Sequence, residues 1–387
     1  MKLDPYKHKE RYLAWKARIG SVIPEITPQN STLILHYLSD MERGLNVAAG
    51  STKGSRSYIR LNSLREKLIN YAKKFDELYH LDTITNISED QLLSFFADMR
   101  NGVILRKDGK QFKSIDTAAR VFKAFWHWWQ KVNRKKGVEI KDITLDLDTR
   151  GKKPDWVYLT EKEFKLLCDS AKPDYKALMM FLFDTGIRAP TELMNVKISD
   201  LYDNGKEVHI REETSKTFGR RIKLMLSSEI LKEYIARNKL ERDNYLFPIS
   251  PFMTNKYLKR LAQRLFGDKV SPAGAKYSDL TMYDFRHMAS CYWLPRYKSE
   301  SALKYRFGWK KSDKIHYYSE LLGMKDTISE EDMLLDLTKT EIEKRLEKSE
   351  KEKEILMDRM RSVEVELAEV KQVYLRLMQV SPLSENK

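Results

Sequence analysis

Tyr175-Lys-Ala-Leu-Met-Met-Phe-Leu-Phe-Asp184-Thr-Gly-Ile-Arg188 is the stretch from which the fold of this 387-residue chain is read. Tyr175 to Phe183 is nearly all apolar and reads as a helix buried on all sides. The helix leaves by a glycine turn at Gly186, and the sequence places Arg188 at the start of a following helix. Upstream, Thr160-Glu-Lys-Glu163 is a capping box ahead of Phe164, Leu166 and Leu167, so it opens another helix. Downstream, Val208-His-Ile-Arg211 and Arg221-Ile-Lys-Leu-Met-Leu226 alternate like strands around Thr214-Ser-Lys-Thr-Phe-Gly219, the pattern of a hairpin. Helical periodicity resumes at Ile230. Residues 156–328 are thus expected to be mainly α with one small antiparallel sheet.

The region before it has no strand alternation. Residues 1–29 are polar, with Pro24 and Pro28, and read as an N-terminal extension. Residues 30–136 read as a small helical domain. Its first helix follows a Ser31/Thr32 cap with Leu33, Leu35, Tyr37, Leu38 and Met41. Leu61, Leu64, Leu68, Tyr71, Ala72 and Phe75 mark a second helix, and the capping box Ser88-Glu-Asp-Gln91 opens a third. The fourth runs from Ile115 to about Val132. The cluster Trp126-His-Trp-Trp129 belongs mostly to its core face, with base stacking as the weaker reading. Residues 137–155 are polar and read as an exposed linker.

In the tail, a heptad laid on 335 through 377 has ten apolar or aromatic residues in 13 seam positions, strongest from Leu356 to Leu377. That predicts a coiled-coil helix over 329–380, with a long helix folded back on its own chain as the alternative.

Composition excludes several classes. At 42% hydrophobic residues the chain is too apolar for disorder, and two cysteines, Cys168 and Cys291, make neither a disulfide framework nor a cysteine-rich zinc site. No apolar run approaches the ~18 residues of a membrane span. The N-terminus has no apolar signal core, so the expected location is cytoplasmic, with no membrane partner. The formal charge is +15, yet residues 329–387 hold 11 basic against 15 acidic residues, which leaves +19 on the rest. A basic body of this kind suits a polyanion.

The sequence has no Walker loop, nucleophile-elbow serine, His-Glu-x-x-His or dinucleotide fingerprint. What remains is an ordered set of cations and aromatics. Arg188 leaves the Thr-Gly-x-Arg turn, Lys216 tops the hairpin, Tyr283-Asp-Phe-Arg286-His287 opens a helix, Phe307-Gly308-Trp309 follows, and Tyr318 comes nine residues after Trp309. Each residue alone has an ordinary reading. Arg188 would be a surface arginine paired with Glu192, Lys216 a turn lysine, Tyr283 a half-buried phenol near a cap, and Trp309 and Tyr318 core aromatics. Taken in order, the set resembles the tyrosine recombinase, or phage integrase, family over residues 155–325.

The resemblance implies a two-domain DNA clamp, in which a core-binding domain at 30–136 and a catalytic domain at 156–328 are joined by the linker. It implies Tyr318 as nucleophile, Arg188 and Arg286 as phosphate clamps, Lys216 as general acid, and Trp309 and Tyr283 as further site residues. Glu192 and His287 would support them. Two guanidinium forks are the groups this chemistry needs, because charge grows on the non-bridging oxygens of the phosphodiester. A site-specific recombinase acting through a 3′-phosphotyrosyl intermediate, with no cofactor and no metal, is the implied activity. It would act on double-stranded DNA as a dimer per site and a tetramer in synapsis, as an integrating or excising enzyme of a mobile element associated with the nucleoid.

Two positions depart from the family pattern. Tyr283 stands where the family has histidine, and Glu192 lies four residues after Arg188 rather than three, with Pro190 between. Tyr317, at spacing eight from Trp309, is a rival nucleophile. Candidate DNA contacts are Lys123, Lys131, Arg134, Lys135 and Lys136 in the first domain and Lys256, Lys259 and Arg260 in the second. A topoisomerase-like or telomere-resolving enzyme using the same tyrosine, and a catalytically silent DNA-binding protein, are the competing functions.

Overall fold

The computed structural model describes residues 3–322 except 49, 107, 152, 153 and 298, and in the tail residues 346, 349–350, 353–365, 367–368 and 371. The chain divides into two compact units, residues 1–289 with 305–310, and residues 290–304 with 311–387.

Five helices open the chain: α1 His8–Ile19, α2 Pro28–Arg43, α3 Tyr58–Tyr79, α4 Glu89–Asn101 and α5 Ile115–Arg134. Their starts are set by side chains that accept orphan backbone N–H groups. Thr27 accepts from Asn30 N and Ser57 from Arg60 N, while Ser88 and Gln91 form the reciprocal box their spacing predicts. Tyr71, Phe75, Phe95, Phe122 and Trp128 fill the interior, and most of their ring contacts are edge-to-face.

Three expectations need correction here. The N-terminal extension is not a mere lead-in, because α1 buries Tyr12 and Ile19 in the same core. The cap of α2 is Thr27 rather than Ser31/Thr32, since Pro28 is favoured at the first helical position and Ser31 turns its hydroxyl back to the Thr27 carbonyl at 3.0 Å. Nor is the 137–155 stretch wholly exposed. Ile143 and Leu147 are buried, and Trp126 Nε1, Gln130 Nε2 and Lys123 Nζ on α5 donate to the carbonyls of Lys141, Ile140 and Thr144. The polar composition hid this because the attachment runs through main-chain carbonyls, which any sequence supplies.

The next region contains α6 Glu161–Asp169, capped by the Thr160/Glu163 box, and α7 Pro173–Thr185. α7 buries Ala177, Leu178, Met179, Phe181 and Leu182 at 1% exposure or less, as its composition requires. A three-stranded antiparallel sheet follows: β1 Leu201–Tyr202, β2 Glu207–Ile210 and β3 Arg220–Lys223, in the order β1-β2-β3. β1 is an addition to the expected hairpin, too short for a periodic signal. Val208 pairs with Ile222, and both point into the core. Helices α8 Ser228–Arg237, α9 Pro251–Phe266, α10 Asp284–Trp293, α11 Glu300–Phe307 and α12 Asp313–Leu322 complete the described fold, which is mainly α with one small sheet. No helix among the described residues is long and apolar enough to cross a membrane.

In the tail, residues 353–365 are helical, and Leu356, Met360 and Val363 of the heptad seam are exposed. Most of the predicted coiled coil, including Leu335, Ile342, Tyr374 and Leu377, lies outside the described residues, as does most of Glu320–Asp332, the stretch expected to exchange between neighbours.

Candidate active site

The site begins where α7 ends. Thr185 returns its hydroxyl to the Phe181 carbonyl at 2.6 Å, and Gly186 turns the chain at φ +59°. A Cβ on Gly186 would lie 2.2 Å from Phe307 Cε1, so glycine is required both by the backbone and by the ring packed on it. Arg188 follows outside any regular element, not on a helix as its neighbours suggest. Pro190 disfavours helical backbone in the residue before it, so the chain makes a tight turn, closed by Glu192 N to Arg188 O at 2.8 Å, before the short 3-10 segment Leu193–Asn195.

That turn brings Glu192 back onto Arg188. The carboxylate accepts from Arg188 N at 3.0 Å and from Arg188 Nη1 at 2.6 Å. Its other partner is a residue the sequence reading missed. Arg220, with no exposed side-chain surface, donates to Glu192 Oε2 at 2.8 Å and Oε1 at 3.3 Å. Burial alone would raise the Glu192 pKa, but the hydrogen bonds and charge of Arg220, with the charge of Arg188, hold it at about 2. The missed signal lay in strand alternation. β3 starts at Arg220, so 220 and 222 face inward, and an arginine at an inward position demands a buried acid.

A second buried pair braces the same region. Arg306 Nη2 lies 2.8 Å from Asp184 Oδ1, and Asp184 Oδ2 accepts from the Leu226 and Ser227 amides and the Ser227 hydroxyl. Arg220 Nε in turn donates to the Arg306 carbonyl at 2.9 Å, so α7, β3 and the end of α11 are cross-linked through charge-assisted bonds.

Arg286 is 3% exposed on α10. It donates to Gly186 O at 2.5 Å and Phe307 O at 2.7 Å, while Arg188 Nη2 donates to Gly308 O at 2.8 Å. The two guanidiniums therefore converge on consecutive carbonyls of one turn. Burial, with the charge of Arg188 adding to it, pulls the Arg286 pKa down to about 10. Trp309 is 9% exposed, stacks on Phe307 with ring centroids 4.7 Å apart, and lies 6.0 Å from the Arg286 guanidinium carbon. Gly308, at φ +63°, has no space for a side chain beside Arg220.

Lys216 is exposed on the β2–β3 loop, between two pinned neighbours. Ser215 Oγ donates to Glu192 Oε1 at 3.1 Å, and Thr217 Oγ1 donates to Gly308 O at 2.9 Å. The loop thus carries the lysine to the edge of the arginine cluster and leaves its ammonium in water. Tyr283 is 46% exposed at the start of α10, with its ring 5.2 Å from that of His287. His287 stacks on Trp156 at 4.7 Å. Tyr318 stands on α12 in the second unit, 4% exposed, with its ring edge-on to that of half-buried Tyr317 at 5.1 Å.

Of the DNA-contact candidates, Lys131, Arg134, Lys135, Lys136, Lys256 and Arg260 are exposed. Four of the eight have protein partners: Lys123 on Thr144 O, Lys131 on Val47 O, Lys135 on Asn46 Oδ1 and Lys259 on Asp279 Oδ1.

A sequence model described as the phage integrase family matches residues 157–323. No curated relative matches the chain. Among solved structures, the Tn1549 transposon integrase in complex with circular intermediate DNA is similar at TM-score 0.55 and 14% identity, covering 76% of this chain and 95% of that one. XerH site-specific recombinase bound to palindromic difH substrate is similar at TM-score 0.52 and 14% identity, covering 83% and 96%. A lambda integrase dimer bound to a COC′ core site is similar at TM-score 0.52 and 14% identity, covering 76% and 78%. Residues 157–323 are thus a phage integrase family domain. This is the family of tyrosine recombinases, enzymes that transfer DNA strands.

Proposed function

We propose that this protein is a site-specific recombinase that cleaves and rejoins duplex DNA through a 3′-phosphotyrosyl intermediate, integrating or excising a mobile element. The observation that carries the reading is the convergence of Arg188 and Arg286 on the carbonyls of Gly308 and Phe307. Neutral carbonyls are weaker acceptors than phosphate oxygens, so an entering phosphodiester can take over these N–H groups. Glu192 and Arg220 hold Arg188 rigid, which lowers the cost of organising the clamp at the moment of reaction.

In this reading the Tyr318 oxygen attacks phosphorus and the bond to the 5′ oxygen breaks. Lys216 gives that oxygen its proton. The tyrosyl phosphodiester keeps the energy of the broken bond, and attack by a 5′ hydroxyl reverses the step. Trp309 and Tyr283 are donors to the phosphate oxygens. The similarity of this fold to proteins solved on their DNA supports duplex DNA as partner. The heptad tail supports assembly, two protomers per site and four in synapsis, and the site of action is the cytoplasmic nucleoid.

A duplex with a nick beside the cleavage position tests the activity, because loss of the short fragment traps the covalent adduct. Wild type should form it and Tyr318→Phe should not. No adduct from wild type would leave the silent DNA-binding reading. Strand exchange between two duplexes separates recombination from topoisomerase-like or telomere-resolving action. Truncation after residue 328 should reduce assembly on DNA in sedimentation, and unchanged assembly would remove the tail from the reading.

A further inference from the structure

The first helical region contains a recessed site that the reaction above leaves unused. α2, α3 and α5, with loop residues Val47, Ala48, Ser51 and Arg56, line a cleft of about 50 Å³, far smaller than the roughly 300–1,000 Å³ of sites for drug-sized ligands and with room for one small group. Its polar lining is Tyr37, Ser51, Arg56 and Arg60, and the rest is apolar, Met41 and Leu64 among it. Among the described residues no carboxylate lines the cleft.

Tyr37 is the unusual member. It is 2% exposed, and its ring is fixed edge-on against Phe125 at 5.4 Å and Trp128 at 5.0 Å. Its hydroxyl has no hydrogen-bond partner among the described residues, and the residue lines the cleft. Burial pushes its pKa up to about 12 against the opposing charges of Arg60 and Arg56, so at neutral pH it is a proton donor. Arg60 is half-buried, and its guanidinium also has no partner among the described residues. Arg56 uses Nη1 on the carbonyls of Thr52 at 2.5 Å and Gly54 at 3.3 Å, which leaves its other N–H groups for a ligand.

The wall of the cleft is built rather than loose. A Cβ on Gly44 would lie 2.4 Å from the Gly54 carbonyl carbon, so the loop closes on itself only because Gly44 is glycine. Arg56 N holds the Met41 carbonyl at 2.9 Å, and Lys131 Nζ holds the Val47 carbonyl at 3.1 Å. Two guanidiniums, a buried phenol and a serine hydroxyl, with no acid among them, fit a tetrahedral oxyanion.

We propose that this cleft is a receptor for one phosphate group, filled by a phosphodiester of the bound duplex. It would fix the register of the first helical region on DNA without reading bases. The assignment of the occupant rests on the DNA-binding reading above.

The test uses the full chain with Arg60→Gln and Tyr37→Phe, with melting curves to confirm that both fold. Duplex affinity is measured across a range of salt, and inorganic phosphate is titrated against melting temperature without DNA. Arg60→Gln should lower the slope of log affinity against log salt by about one, the signature of one lost phosphate contact. Tyr37→Phe, which removes a single neutral donor, should bind about five-fold more weakly with the slope unchanged. Tyr37→Phe alone carries the test if Arg60→Gln does not fold. Wild-type affinity and slope in the folded variants would overturn the proposal while DNA binding stands. If wild type binds no duplex but phosphate stabilises it and not Arg60→Gln, the occupant is free phosphate and the DNA assignment fails. If neither ligand acts, both readings fall.

Discussion

Arg220 Nη2 lies 2.8 Å from Glu192 Oε2, and neither side chain has more than 1% of its surface exposed. Glu192 also holds Arg188, so the position of that proposed phosphate clamp depends on an arginine outside the ordered set of sequence motifs. A buried pair adds little net stability over an apolar replacement, but removing one partner strands the other charge.

Glu192→Ala should therefore destabilise the fold by about 3–5 kcal/mol. Denaturant unfolding measures it. A loss below about 1 kcal/mol would mean that Arg220 finds another partner or water, and that the triad does not organise the site.

The same carboxylate sets an acid limit. Its pKa is lowered from 4.5 to about 2 in the folded chain, so the unfolded chain binds the proton more readily. The stabilisation is fully present above pH 4.5 and is lost as pH falls toward 2. It amounts to about 3 kcal/mol. Stability measured from pH 6 down to about pH 3 should fall steeply in wild type and less steeply in Glu192→Gln, which has no proton to take up there. Equal slopes would refute the assignment.

Gly186 gives a steric prediction. Its φ of +59° is left-handed, and a Cβ would meet the Phe307 ring at 2.2 Å. Gly186→Ala should cost about 2 kcal/mol or more, from the conformation and the clash together, and it should displace the turn that carries Arg188. A thermal melt close to wild type would show that Phe307 shifts freely.

Lys216 is exposed between the two pinned residues Ser215 and Thr217, so its proposed role as general acid can be tested apart from fold stability. Lys216→Ala should leave the melting temperature within about 2 °C of wild type, as for an exposed substitution. It should slow DNA cleavage by about 10²–10⁴-fold. A substrate whose 5′ bridging oxygen is replaced by sulfur needs no proton on departure and should restore the rate. A defect that persists with that substrate would assign the lysine to binding instead.

Much of the architecture was written in local pattern. The Ser88/Gln91 and Thr160/Glu163 boxes, the apolar α7 and the paired strands around Lys216 are short-range features, and each holds in three dimensions. The errors came where a distant residue or a main-chain group supplied the partner. Ile143 and Leu147 are buried in a stretch that reads as linker because α5 side chains reach its carbonyls. Arg188 reads as helical from its neighbours, but Pro190 and the return of Glu192 hold it in a turn.

By itself, then, the sequence determined most of the helices, the Ser88/Gln91 and Thr160/Glu163 capping boxes, the hairpin, and the order in which Arg188, Lys216, Arg286, Trp309 and Tyr318 occur. Periodicity and spacing are properties of neighbouring residues, so a single chain contains them. Only the tertiary structure decided that Arg220 stands behind Glu192, and that Arg188 and Arg286 meet at the Phe307–Gly308 turn. Those contacts join residues up to 120 positions apart, and a buried charge chooses its partner by geometry and desolvation, which the linear order does not encode.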